Sequence, residues 1–213
     1  MICVLPLVGS EEKPQRRLQS DRRAEMRRRI IDATVSSLFR FGYGATSISV
    51  VAKEAGASRS SIGYHFATKA DLMVAVRDQV WRDEQAVLDV LMQTKPPREL
   101  LAEMPKHLLA AARSPGHIAV SEILLAARGD PELQDKLKAS TREIDKQIMA
   151  RQPALFAGAD IALPDNFLTI LHLTNATVQG LVLAELAQGT EAETGACINL
   201  YTALMNRLLN LPA

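Results

Sequence analysis

Apolar residues recur at helical spacing along nearly the whole chain. Ile31, Val35, Leu38 and Phe39 form one stripe at i, i+4, i+7 and i+8, which predicts a long first helix ending near Phe41-Gly42. Tyr43-Gly44-Ala45 is the expected break. Thr46 or Ser47 then caps a short helix to about Ala55, stopped by Gly56 as a left-handed C′ residue. Ser58 caps another short helix through Phe66. Thr68-Lys69-Ala70-Asp71 fits a variant capping box, opening a helix that runs to about Leu91. Lys95-Pro96-Pro97 reads as the clearest linker in the chain.

Glu99–Arg113 is again periodic, and Ser114-Pro115-Gly116 breaks it. His117–Arg128 follows. Asp130-Pro131-Glu132 supplies an N-cap, a proline at N1 and a first-turn acid for a helix expected to reach about Arg151. Gln152–Pro164, with two prolines and a glycine, predicts a loop with room for a turn of helix. Asp165 is the expected cap of a very apolar stretch to Gln188, and Thr190-Glu191-Ala192-Glu193 is a capping box for a last helix ending near Leu211. Period-2 alternation is scarce and aromatic residues make up only 4% of the chain. The expected fold is all-α, with about nine helices.

Composition adds limits. The chain has 213 residues, 47% apolar and 23% charged, which suits a folded globular protein and is too apolar for a disordered one. No apolar run approaches the ~18 residues a membrane span needs. Met1–Val8 is apolar but lacks the basic n-region of a signal peptide, and residues 1–20 are expected to form a flexible tail. Two cysteines, Cys3 and Cys197, make neither a disulfide framework nor a metal pair, which favours a reducing cytoplasm.

Charge changes the picture once it is counted by position. The total is 25 Lys+Arg against 24 Asp+Glu, a formal +1. Residues 1–69 hold 12 basic and 6 acidic residues, a net +6, and residues 70–213 hold 13 and 18, a net −5. A basic segment joined to an acidic one is the footprint of a nucleic-acid-binding module attached to something else.

The basic segment contains a spacing that explains it. A helix-turn-helix needs a small residue where its helices cross, a turn residue that tolerates positive φ, and an apolar anchor on the second helix. Ala52, Gly56 and Ile62 fill those places, with Val51 and Ala55 on the inner face. The second helix opens Ser58-Arg59-Ser60-Ser61, small and polar with one long cation, as a recognition helix entering the major groove requires. Arg59 is suited to guanine O6/N7 or to a phosphate.

Phe41-Gly-Tyr-Gly-Ala-Thr46-Ser-Ile-Ser-Val-Val-Ala52-Lys-Glu-Ala-Gly56-Ala-Ser-Arg-Ser-Ser-Ile-Gly-Tyr64-His-Phe66-Ala-Thr-Lys69-Ala-Asp-Leu72 resembles the N-terminal domain of TetR-family transcriptional regulators. The likeness spans about 45 residues, from Arg28 to Leu72; the remainder is similar only in being helical and of suitable length. It implies a homodimer with a three-helix DNA-binding head (residues 21–68) and a helical domain (69–213) that binds a small molecule and dimerises. It implies phosphate contacts at Thr46, Tyr64, His65 and Lys69, and groove contacts at Ser58, Arg59 and Ser60. With Ser47 beside Thr46 at the start of helix 2, the candidate DNA-contacting set is Thr46, Ser47, Ser58, Arg59, Ser60, Tyr64, His65 and Lys69. Gly63 departs from the pattern, which often has Tyr there. The arginines at 16, 17, 22, 23, 27, 28 and 29 precede or open helix 1 and, as a group, should steepen the salt dependence of DNA binding.

In the C-terminal half, Leu168–Leu186 and Ile198–Leu209 are apolar on more than one face and so need burial on more than one side. Paired across a two-fold axis, they would build a four-helix dimer interface suited to a palindromic operator. His107, His117, Glu122, Arg128, His172, Asn175 and Gln179 interrupt apolar stripes; of these His107, Glu122, His172 and Asn175 are the candidate effector contacts, with Met92, Met104 and Met149 as adaptable lining. The function expected is a transcriptional repressor released from its operator by a small molecule. An enzyme is the contrasting class. Gly56-Ala-Ser58-Arg-Ser60 only begins like a nucleophile elbow, Gly42-Tyr-Gly44 lacks a dinucleotide loop's third glycine, and the four histidines show no metal spacing, so no cofactor is expected. An architectural DNA-binder without a pocket is the other alternative.

Overall fold

The computed structural model describes residues 14–211, all of whose regular elements are helical. The helices are α1 (Pro14–Ala45), α2 (Ile48–Ala55), α3 (Arg59–His65), α4 (Lys69–Thr94), α5 (Pro97–Ala112), α6 (Pro115–Ala126), α7 (Pro131–Gly158), α8 (Phe167–Gln188) and α9 (Glu191–Leu208), with one 3₁₀ turn at Ala127–Gly129. The tail expected at 1–20 lies outside the described residues up to position 13, and α1 is already under way at Pro14.

Local signals set most boundaries. Ser47, Ser58, Ser114 and Asp130 each accept a hydrogen bond from the backbone N–H three residues on, capping α2, α3, α6 and α7. Thr68 and Asp71 complete a reciprocal capping box at α4. Inside α1 the helix breaks at Gly42, whose φ of 73° and ψ of 175° lie where side chains are disfavoured.

Three expectations fail. Helix α7 continues past Arg151 to Gly158, through Pro153, where a loop was expected. A proline inside a helix costs about 3 kcal/mol. That turn buries Leu155 (3% exposed) and Phe156 (1%), each contributing about 1.5–3 kcal/mol, enough to outweigh the proline. Asn166, not Asp165, precedes α8, and neither it nor Thr190 before α9 makes a side-chain cap bond. The break expected at Lys95-Pro96-Pro97 is present as a tight turn, with Lys95 closing α4 and Pro97 opening α5. Helix α8 is long and apolar enough to cross a bilayer, with a mean hydropathy of 1.4 over its best window. Its scattered Thr, His, Asn and Gln prevent an unbroken apolar run without lowering the mean enough.

Three apolar clusters hold the chain together. The first joins Ile30, Ile31, Leu38, Val51, Ile62, Leu72, Met73, Val76, Ile123 and Leu133, so α1–α4 share one core with α6 and α7. The second gathers Leu100, Leu155, Phe156 and Phe167, with Met92, Met104 and Met149 packed at its edge. The third sets Leu109 of α5 against Val178, Val182 and Ile198. Helix α4 is clasped by polar ties as well. Arg77 donates to Ser140 and Thr141, Asp78 accepts from Ser140, and Glu84 pairs with His117 at 2.9 Å.

Candidate nucleic-acid interface

Helices α2 and α3 meet through the smallest residues available. Gly56 adopts φ 59°, ψ 36°, and a Cβ there would lie 3.1 Å from the Arg29 guanidinium. Arg29 uses that approach to donate to the Ala55 carbonyl at 2.7 Å, satisfying an acceptor at the end of α2. Ile62 (1% exposed) anchors α3 against Val51, Ala52 and Ala55. The recognition helix is thus fixed by one glycine, one arginine and one apolar side chain.

What α3 presents outward is polar and orderly. Ser58, Arg59 and Ser60 are exposed; the Ser58 hydroxyl accepts from Ser61 N–H at 3.0 Å and pairs with Ser60 Oγ at 2.8 Å. Arg59 leans back to donate to Ser49 of α2. Tyr64 is 67% exposed with the Arg23 guanidinium 5.0 Å from its ring centroid. His65 packs edge-on to Tyr64, and partial burial, then Arg23 and Arg27, hold its pKa below the ordinary 6.5. Ser47 is exposed but its hydroxyl caps α2.

Lys69 opens α4, yet its ammonium sits 3.8 Å from the Tyr43 ring centroid and 3.4 Å from the Tyr43 carbonyl. Burial lowers its pKa, with Asp130 opposing. Thr46 does not belong to this surface. It is fully buried, and its hydroxyl donates to the Gly42 carbonyl at 2.8 Å and contacts Ser37 Oγ at 3.1 Å. Its role is to close the turn after α1.

The effector candidates do not converge. Glu122 of α6 accepts the Tyr43 backbone N–H at 3.0 Å, reaching into the head instead of a pocket. His172 is exposed and bonds Asp145 at 3.2 Å, and Asn175 is exposed on the same side of α8. The buried face of α8 is Phe167, Thr174, Val178 and Val182, so those polar interruptions fall on the outer face. Inside, Thr174 meets Tyr201 Oη at 2.8 Å and Gln179 donates to Ser121 at 3.1 Å. His107 lies near Glu103 (3.7 Å), with burial and Lys95 lowering its pKa against Glu103. Its Nε2 and the Trp81 indole N–H are buried without a hydrogen-bond partner among the described residues. A partly open groove of 550 Å³ runs between α5 and α9, lined by Arg98, Glu99, Glu103, Lys106 and Asn199 among others. None of the four candidates lines it. No group of three His, Cys, Asp or Glu side chains among the described residues is arranged to hold a metal.

The residues that the sequence reading missed are Tyr43 and Ser49, neither of which carried a signal; Arg23, Arg27 and Arg29 were singled out only as members of the arginine run that opens α1.

Residues 30–76 match the sequence model of the bacterial regulatory proteins of the tetR family. The chain thus carries the DNA-binding domain of a TetR-family transcriptional regulator. This regulator is 27% identical, over 78% of its length and 86% of the relative's, to an HTH-type transcriptional regulator of Mycobacterium tuberculosis. It superposes on a TetR-family member of Streptomyces coelicolor with a TM-score of 0.60, at 26% identity over 89% of this chain and 99% of that one. The multidrug binding protein EbrR, solved with ethidium, gives 0.56 at 26% identity over 84% and 98% of the two chains. Transcriptional regulators of this family are generally non-enzymatic.

Proposed function

We propose that this regulator is a cytoplasmic homodimeric repressor that grips a palindromic operator with two heads (residues 21–68) and lets go when a small molecule binds its body (69–213). The observation that carries the reading is the pairing of an ordered polar recognition helix with an apolar surface lacking cover. Leu173, Leu183 and Leu186 of α8 and Leu200, Leu204 and Leu208 of α9 are 41–65% exposed. A patch of this kind marks an interface. A second copy applied through α8 and α9 would cover it and place two heads on one duplex. That α8 resembles a membrane span is then explained by burial between subunits; only 17% of its apolar window is buried within one chain.

Ser58, Arg59 and Ser60 would read the groove, while Ser47, Tyr64, His65 and Lys69 face the backbone. Recognition helices must sit about 34–36 Å apart, or a multiple of that, to enter successive grooves. An effector in the body acts only through its differential affinity for spacings that fit and spacings that do not. EbrR's ethidium complex supports a ligand in this fold, and the unpartnered Trp81 indole N–H offers it a donor. Selection of bound duplexes from a random pool, followed by gel shift, tests the DNA half. Arg59→Ala and Tyr64→Ala should abolish binding to the selected sequence while leaving the oligomeric state intact; undiminished affinity in either would sink the assignment.

A further inference from the structure

The arginines opening α1 are not one undifferentiated run. Arg28 faces outward to Asp32 (3.8 Å), and Arg29 turns inward to the Ala55 carbonyl. Arg23 and Arg27, one turn apart, continue the face that carries buried Ile30 and Ile31 and so point at α3. Each guanidinium lies over a ring of that helix's C-terminal end: Arg23 over Tyr64 at 5.0 Å and Arg27 over Phe66 at 5.2 Å. Neither meets a carboxylate among the described residues. Two like charges four residues apart repel, and here they also crowd a histidine that lies between the two rings in sequence.

The placement of each guanidinium over a ring says what the pair is for. A guanidinium on an aromatic ring engages its flat face and leaves its N–H edges in the plane, free for a bidentate anion. Arg23 and Tyr64 are both exposed, so this guanidinium stays open to solvent beside the recognition helix. We infer that the DNA-binding surface extends onto the N-terminal half of α1, where Arg23 and Arg27, seated on the Tyr64 and Phe66 rings, form a phosphate clamp flanking the recognition helix. This rests on the DNA-binding reading above. The clamp contacts backbone only, so it adds affinity and salt dependence without adding sequence preference. Holding the arginines on rings also removes part of the entropy that a free arm loses on binding.

The test is a salt titration of duplex binding by fluorescence anisotropy, on a sequence selected with the wild-type protein and on a scrambled duplex. Arg23→Ala and Arg27→Ala should each weaken binding about tenfold at low salt and lower the log–log salt slope by about 0.9 per lost contact, hence about 1.8 per dimer on a palindrome. The ratio of selected to scrambled affinity should stay within twofold. Arg28→Ala removes the same charge from the other face and should leave the slope near that of wild type. Tyr64→Phe keeps the ring beneath Arg23 and should keep the Arg23 contribution to the slope. Slopes for Arg23→Ala and Arg27→Ala equal to that of Arg28→Ala overturn the clamp, as does a collapse of the selected-to-scrambled ratio. Arg23 is exposed, so its replacement leaves folding unthreatened; equal melting temperatures check this for Arg27. A wild-type protein that retains no duplex overturns the DNA-binding reading and the clamp together, whereas wild-type binding with an unchanged Arg23→Ala slope overturns the clamp alone.

Discussion

Helices α3 and α8 both expose large side chains, and the contrast between them separates two ways of being functional. On α3 the exposed groups have partners: Ser58 with Ser60, Arg59 with Ser49, Tyr64 with Arg23. Preorganised polar groups lose little entropy when a ligand arrives. On α8 the large exposed groups Leu173, Leu183 and Leu186 are apolar, and what they require is area. A recognition surface is built from directional contacts within one chain. An association surface is built from apolar area that a single chain leaves uncovered.

The most severe way to break the contrast is to charge the apolar side of it. Leu204 of α9 is 51% exposed. In a two-fold interface each substitution counts twice and each copy can bury only the exposed half of Leu204, so Leu204→Glu should cost about 1.5–3 kcal/mol of association from lost apolar burial alone. Sedimentation should show a monomer for the variant and a dimer for the wild type, with the melting temperature little changed and affinity for a palindromic duplex greatly reduced. A Leu204→Glu protein that remains dimeric would remove α9 from the interface.

A smaller effect is expected where the two regions join. Glu122 holds the Tyr43 N–H, and Tyr43 in turn carries Lys69 on its ring and carbonyl. The hook depends on Gly42, since a Cβ there would stand 3.1 Å from the Glu122 carboxylate. Glu122→Ala leaves a half-buried donor unsatisfied, at about 1–3 kcal/mol. Thermal melting should fall accordingly, and DNA affinity should fall with it because Lys69 loses its seat. Glu122→Gln keeps an acceptor and should recover both. An alanine variant with unchanged melting and DNA binding would mean that α6 does not steady the head.

That hook also marks the limit of what the amino-acid order discloses. A cap is a bond between residues three apart, so Ser47, Ser58, Thr68-Asp71 and Asp130 were readable in the chain, and with them the whole helix-turn-helix. Helix α7 could be bounded only by knowing what Leu155 and Phe156 bury against, which is a non-local fact. The orientation of α8 was hidden for the same reason. A helix apolar on several faces gives no unique inner side, so His172 and Asn175 looked interior when Thr174 and Gln179 hold that place. Thr46 failed differently: its match to the family pattern is sound, but a hydroxyl that closes a turn and one that meets a phosphate look alike in sequence.

Protonation probes the head with a gentler hand. Burial and then Arg23 and Arg27 lower the pKa of His65 in the free protein, so it is neutral near pH 7. Tyr64 and Phe66 flank it without charge. A phosphate brought alongside favours the imidazolium and raises that pKa, so binding takes up protons and affinity should rise as pH falls below about 7. Folding responds with the opposite sign. A histidine whose folded pKa is depressed contributes its full stability above 6.5 and loses it as pH falls through that value. His65→Gln should flatten the pH profile of DNA binding; an unaltered profile would place His65 away from the duplex.

The smallest change tests whether α3 is purely a side-chain surface. Gly63 has no positive φ, and a Cβ built on it meets nothing within 4 Å. Neither backbone geometry nor packing within the chain calls for glycine there, and mid-helix it costs about 0.5–1 kcal/mol relative to alanine. Gly63→Ala should therefore raise stability by about that amount, measured by urea unfolding. The informative result is the DNA affinity of the same variant. If α3 reads the duplex through Arg59, Tyr64 and their neighbours, affinity is unchanged and glycine is simply a tolerated departure from the family's usual tyrosine. If affinity falls as stability rises, the bare backbone at Gly63 lies against the duplex. In that case the recognition helix sits closer to the DNA than its side chains alone would bring it.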